Sequence, residues 1–284
     1  MRIVRDGARS GIRPAAVAGS FYPDDPAALT DTVEALLEDA ILEDKVVEES
    51  GLAALKALIA PHAGYAYSGP IAASAFAPVR AVADRIRRVV LLGPSHFVAV
   101  DGFALSGAEA FSTPLGEIPV DRRGEESIRG VPRVVDHERA HEREHSLEVE
   151  LPFLQSVLGD FELVPVVVGE ASPARVAAVL DLLWGGAETL IVVSSDLSHF
   201  YDYREAQRMD RATRDTIEPL DRFDIDARHA CGFRSVNGLL LAAHQRGLRA
   251  ETLDLRNSGD TAGPRDSVVG YGAWAFLDDR EESP

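Results

Sequence analysis

The sequence predicts an α/β fold of three layers, α/β/α, around a largely parallel central sheet. Short runs of β-branched and leucine residues recur between turn residues, helical stretches separate them, and the composition is that of an ordinary globular protein. The chain has 284 residues, of which 46% are hydrophobic and 26% charged. A chain of this length buries about three quarters of its unfolded surface, so its core needs no disulfide or metal to hold it together. No repeat or low-complexity tract divides it, so residues 1–284 read as one domain, with residues 1–11 and 278–284 as flexible tails.

In order along the chain, Pro14–Pro23 mixes apolar and small residues and reads as buried but irregular. Asp25 followed by Pro26 starts a helix, as N-cap and first helical residue, with Leu29, Val33, Leu36 and Leu37 on one face. Acidic Glu43–Glu49 reads as a solvated connection. Ala57–Ala60 is the first strand and Pro70–Phe76 the helical stretch after it. Arg88–Leu92 is the second strand and Glu162–Val168 the third. A helix over Pro173–Trp184 precedes the fourth, Thr189–Val193. Ser267–Leu277 adds a strand or hairpin near the end. Runs this apolar are expected where both faces of a parallel sheet are covered.

The net charge is −17. Such a surface repels phosphate backbones, and no Lys/Arg cluster offsets it, so nucleic acid is not an expected partner. No apolar run approaches the ~20 residues of a membrane span, and the N-terminus lacks a signal-peptide stretch. Cys231 is the single cysteine, which rules out an intrachain disulfide. These features point to the cytoplasm.

Three of the strands end alike. Pro61-His62 follows the first, Pro94-Ser95-His96 the second, and Ser194-Ser195-Asp196-Leu197-Ser198-His199 the fourth. Ligands of open α/β sheets bind outside the carboxyl ends of the strands, so His62, His96 and His199 are expected to converge there. Imidazoles joined by an anionic ligand suit a transition metal. Cys231 precedes an apolar helix containing Val236, Leu239 and Leu240. A lone cysteine is commonly just a buried small residue, but a helix N-terminus also favours a thiolate ligand or nucleophile. His145 stands at the edge of a helical stripe, Leu147, Leu151, Leu154 and Leu158, as a proton carrier, a partner of another side chain, or a cap. Asp196 is a ligand, a group that orients an imidazole, or the N-cap of a helix starting near His199. His137, His141, His229 and His244 lie in polar or helical surroundings and read as surface residues.

Ala18–Tyr22, Ala60–Tyr65, Leu92–His96, Glu144–Pro152, Ser194–His199 and Cys231–Leu241, with a weaker Asp266–Gly272, together resemble the Memo family, in family order over almost the whole chain. The resemblance implies a fold similar to class III extradiol dioxygenases, which are non-haem iron enzymes. It implies that His62, His96 and Cys231 bind a metal, that His199 matches the dioxygenase catalytic histidine, and that Asp196 and His145 line the pocket. Where those dioxygenases use a carboxylate, this chain has a thiolate, which favours Fe or Cu redox chemistry and weakens the inference to ring cleavage. Family association further implies a radical SAM protein as partner.

Three functions follow as expectations. The first is a redox enzyme dependent on Fe(II), with Cu or Zn as other candidate metals, acting on a small-molecule substrate. The second is a metal-holding scaffold without turnover. The third is a metal-independent cysteine hydrolase using Cys231 and His199, which leaves His62 and His96 without a role.

Overall fold

A computed structural model describes residues 11–42 and 55–278. The acidic connection at Glu43–Glu49 lies outside them, as do both expected tails apart from Gly11 and a buried Asp278. In chain order, β1 (Ile12–Arg13) precedes α1 (Pro26–Leu42), and β2 (Leu55–Ala60), α2 (Tyr65–Phe76) and β3 (Arg88–Pro94) follow. Short elements come next: β4 (Phe103–Leu105), β5 (Ala110–Thr113), β6 (Gly116–Pro119), α3 (Arg122–Ile128), β7 (Val134–Asp136), α4 (Glu138–Glu142) and α5 (Leu151–Val157). The strand–helix alternation resumes with β8 (Glu162–Val168), α6 (Pro173–Leu183), β9 (Thr189–Ser194), β10 (His199–Tyr201) and α7 (Tyr203–Ile217). It closes with α8 (Phe233–Arg246), β11 (Arg249–Asn257) and β12 (Val268–Leu277).

The main sheet runs β10-β12-β2-β9-β3-β8-β4-β7, with β11 also on β12, and a small sheet runs β1-β5-β6. At its centre β2, β9, β3 and β8 are parallel, and the margins are antiparallel, β12 against β2 and β4 against β8. The predicted parallel sheet is thus the middle of a mixed one. Alternation along each central strand feeds two cores. Val89 and Leu91 face one and Val90 and Leu92 the other, and β9 divides the same way, Leu190 and Val192 against Ile191 and Val193. Leu29 and Val33 of α1, Ile71 and Phe76 of α2 and Phe153 of α5 fill the first core. Val176 and Leu180 of α6 and Leu239 and Leu240 of α8 fill the second. That is the three-layer arrangement. Each such buried side chain stabilises the fold by roughly 1.5–3 kcal/mol.

Local chemistry sets the boundaries. Asp25 caps α1, accepting a hydrogen bond from the Ala28 amide at 2.9 Å. Pro165 stands inside β8, but β4 pairs only with Val166–Val168, so the missing amide falls where β8 has lost its neighbour on that side. Two boundaries differ from the sequence reading. The helix expected from Pro70 begins at Tyr65, with Pro70 inside it. The segment Pro14–Pro23 is irregular but, apart from Tyr22, not buried. Glu148 ties it down instead, accepting hydrogen bonds from the amides of Ala16 and Val17, from the Tyr22 hydroxyl and from the Arg13 guanidinium. Among the described residues no helix is long and apolar enough to cross a membrane.

Candidate metal centre

Three adjacent parallel strands deliver the site. β2 and β3 both flank β9, with Ala60 opposite Ser194 and Leu92 opposite Val193, so their carboxyl ends lie along one edge. His62 and His96 each follow two residues past a strand, and Asp196 follows two past β9. Asp196 Oδ1 accepts a hydrogen bond from the His62 amide at 2.8 Å, fixing the turn after β2. Cys231 comes in from the loop before α8, its amide donating to the Asp196 carbonyl at 3.2 Å. His145 arrives from the loop ahead of the 3-10 turn Glu148–Glu150.

Ligand atoms of His62, His96 and His145 all lie within 4.8 Å of one another, a set able to hold a metal ion. Their ring centroids are 5.2 Å apart for His62 and His96, 5.5 Å for His62 and His145, and 4.7 Å for His96 and His145. Cys231 Sγ stands 3.3 Å from His62 Nε2. His199 is not part of the set of three. It sits on β10, and its Nδ1 is 2.7 Å from the Leu197 carbonyl, to which it donates.

The hydrogen bonds settle which ring nitrogen His62 and His96 turn to the site. Glu144 accepts from the His96 amide at 2.6 Å and from His96 Nδ1 at 2.8 Å, leaving Nε2 free. His62 Nδ1 lies 2.6 Å from Ser194 Oγ. Ser194 has one proton and two further partners, the Ser146 carbonyl at 2.6 Å and Glu150 Oε1 at 2.7 Å. Burial pushes the Glu150 carboxyl well above the ordinary range, which favours its acid form as a donor to Ser194. Whichever of the Ser146 carbonyl and Glu150 takes the Ser194 proton, the Ser194 oxygen is left to accept from His62 Nδ1–H. His62 therefore keeps an unprotonated Nε2 pointed at Cys231.

Electrostatics favour neutral imidazoles at two of the three positions. Burial first, then the neighbouring His96, His145 and His199, hold His62 well below the usual histidine range. Burial also lowers His145. Burial works against charge on His96 too, but its hydrogen bond to Glu144 and the charges of Glu144 and Asp196 prevail and raise it. For Glu144 the order is the same: burial opposes ionisation, the His96 hydrogen bond and charge overcome it, and the carboxyl is held at about 2. Asp196 is raised to about 6, chiefly by burial. Burial pushes the Cys231 thiol up, so the expected help from the α8 N-terminus is outweighed. A thiol that will not ionise alone, beside imidazoles that Glu144 and Ser194 hold by Nδ1, is a donor set that fits a transition metal.

Of the sequence-predicted residues, the structure thus gathers His62, His96, His145, Asp196 and Cys231. Two local expectations are corrected. The helix after β9 starts at Tyr203, and its N-cap is Asp202, which accepts from the Arg204 and Glu205 amides. Asp196 is not a cap. His141 is buried rather than exposed, with Nε2 3.0 Å from the Ala104 carbonyl, because α4 turns that face onto β4. Glu144, Ser194 and Glu150 escaped the sequence reading. The signal for Glu144 and Glu150 was acidic residues set into an apolar stretch, Glu-His-Ser-Leu-Glu-Val-Glu-Leu, where a carboxylate needs a dedicated partner; Ser194, at the end of β9, carried none.

A family model described as Memo-like protein matches residues 13–275. A MEMO1 family protein of Methanothermobacter thermautotrophicus is 34% identical over 274 residues, 92% of this chain and 98% of that protein. Another, of Sulfolobus acidocaldarius, is 32% identical over 288 residues, 94% and 100% of the two chains. A third, of Thermotoga petrophila, is 33% identical over 276 residues, 91% and 97%. A solved chain from Escherichia coli K12, the uncharacterized protein JW3007, is similar with a TM-score of 0.47 and 12% identity over 78% of this chain and 99% of its own, too distant to bear on function. With its family motifs spread from β2 to β12 and a match along nearly its whole length, the chain belongs to the Memo-like protein family.

Proposed function

We propose that the protein is a redox enzyme dependent on a non-haem metal, iron first and copper second, acting on a small molecule. The observation that carries this reading is the convergence of three imidazole donors within 4.8 Å of one another, with a cysteine sulfur 3.3 Å from one of them. His62, His96 and Cys231 are assigned as ligands, and His145, whose ligand atom lies within 4.8 Å of those of His62 and His96, would be within reach of the same ion. When bound, such a metal supplies one-electron chemistry and Lewis acidity.

The chain's own residues do the rest. Glu144 and Ser194 hold His96 and His62 by Nδ1, so each turns Nε2 to the site; His62, kept neutral by burial, has no proton to lose on binding. Cys231 gives up its proton when it becomes a ligand, which makes metal uptake pH-dependent. His199 donates Nδ1–H to the Leu197 carbonyl, so its Nε2 is free to take a proton from substrate. Asp196, in the strand-end turn between them, holds the His62 backbone.

The test is metal analysis of protein purified without oxygen, comparing the wild type with Cys231→Ser and His96→Ala. Iron or copper in the wild type and its loss in both variants supports the assignment, and a wild type with neither metal above background defeats it. Oxygen uptake with catechols and thiols then separates an enzyme from a scaffold that holds the ion for a radical SAM partner. Turnover lost in His199→Ala excludes the scaffold.

A further inference from the structure

Next to Cys231, between the end of β3, the end of β8 and the start of α8, lies an open cavity of about 160 Å³. That is close to the ~150 Å³ that accommodates benzene in an engineered protein core, so its occupant has about six non-hydrogen atoms. One wall is apolar: Val98, Val100 and Val168. The other is the first turn of α8, where Gly232 lets the helix start press on β9; a Cβ there would lie 2.7 Å from the Ser194 carbonyl. The first bond within this 14-residue helix runs from the Val236 amide to the Gly232 carbonyl, so the amides of Arg234 and Ser235 lie in its open turn.

A second observation points the same way. Ser235 lines this cavity, is 1% exposed, and its hydroxyl has no hydrogen-bond partner among the described residues. A buried hydroxyl without a partner has lost its water and gained nothing in return, a cost that a ligand can recover. Arg234 already pairs with Glu170 at 2.5 Å and is neutralised, so recognition falls to the helix start and to Ser235.

We propose that this cavity binds a small aliphatic carboxylic acid, its carboxylate on the Ser235 hydroxyl and the open first turn of α8, its apolar body against Val98, Val100 and Val168. As the substrate class of the metal centre this rests on the preceding reading; as a carboxylate site it stands without a metal.

The test is calorimetric titration of the full chain, stripped of metal, with isobutyrate and with its neutral isostere isobutyramide. Isobutyrate is expected to bind at least about tenfold tighter than the amide. Ser235→Ala is expected to weaken isobutyrate binding about tenfold. Ser235→Asp puts a carboxylate where the ligand's would sit, so it abolishes binding; should the buried acid lower the melting temperature, Ser235→Ala, which only removes a hydroxyl, carries the test. Equal binding of acid and amide, no binding to the wild type, or unchanged affinity in either variant overturns the proposal. Because the titration is run without metal, a chain that takes up no iron can still pass it, and one that takes up iron can still fail it.

Discussion

Ser194 has one proton and three close partners, and that count decides how His62 is presented. Removing the hydroxyl in Ser194→Ala leaves His62 Nδ1 without its acceptor and frees the ring to turn or change tautomer. Metal affinity is expected to fall 10- to 100-fold, the usual effect of losing a ligand's hydrogen-bond partner, read by competition with a chromogenic chelator. Glu150→Gln keeps a neutral donor of the same shape, so its metal affinity is expected to stay within about twofold of the wild type. A Glu150→Gln variant as weak as Ser194→Ala would mean that Glu150 is ionised. The sequence announced His62 and His96 because each follows a strand that ends in turn residues. It left His145 among three roles because no strand leads to it: the loop Glu144–Leu147 is placed by contacts such as the Ser146 hydroxyl on the Pro94 carbonyl, which no local pattern encodes.

At the scale of elements, helix packing depends on a residue that propensity alone would replace. Gly238 sits where α8 crosses α6, and a Cβ there would stand 2.2 Å from Val176 Cβ. Alanine is the better helix former by about 1 kcal/mol, yet Gly238→Ala is expected to cost a net ~1–3 kcal/mol, because two packed helices must separate. Chemical denaturation measures this, and a stabilised variant would show that the two helices have room to move apart. At Asp202 the argument is simpler: its carboxylate caps α7, so Asp202→Ala is expected to cost about 1 kcal/mol with metal uptake unchanged. The four central strands were readable because burial on both faces makes them continuously apolar. β4, β7 and β10 have three residues each and no such run, so their pairing is fixed by the neighbours they join rather than by their own sequence.

Over the whole molecule, buried titrating groups pull the stability against pH in opposite directions. His141 is held at about 4, mainly by burial, so the unfolded chain binds more protons between that value and the ordinary 6.5, and stability from this group is lost as pH falls through that window. Asp210 is the reverse. Burial raises its carboxyl from 3.8 to about 6, so the folded chain binds the extra proton and stability is lost as pH rises between those values. Its Oδ1 accepts from the Ser198 amide at 3.1 Å, and Gly270 packs so closely that a Cβ would meet Oδ2 at 2.1 Å. An ionised Asp210 thus has little room for water. In a curve of total stability these contributions overlap, but the difference between Asp210→Asn and the wild type removes what the two proteins share. The variant cannot ionise, so that difference is expected to move in its favour by about 2–3 kcal/mol between pH 4 and pH 7, because each tenfold change in an ionisation constant on folding is worth about 1.4 kcal/mol. Guanidinium denaturation of metal-free protein across that range reads it directly, and parallel curves for the two proteins would mean that Asp210 ionises in the folded chain just as it does in the unfolded one.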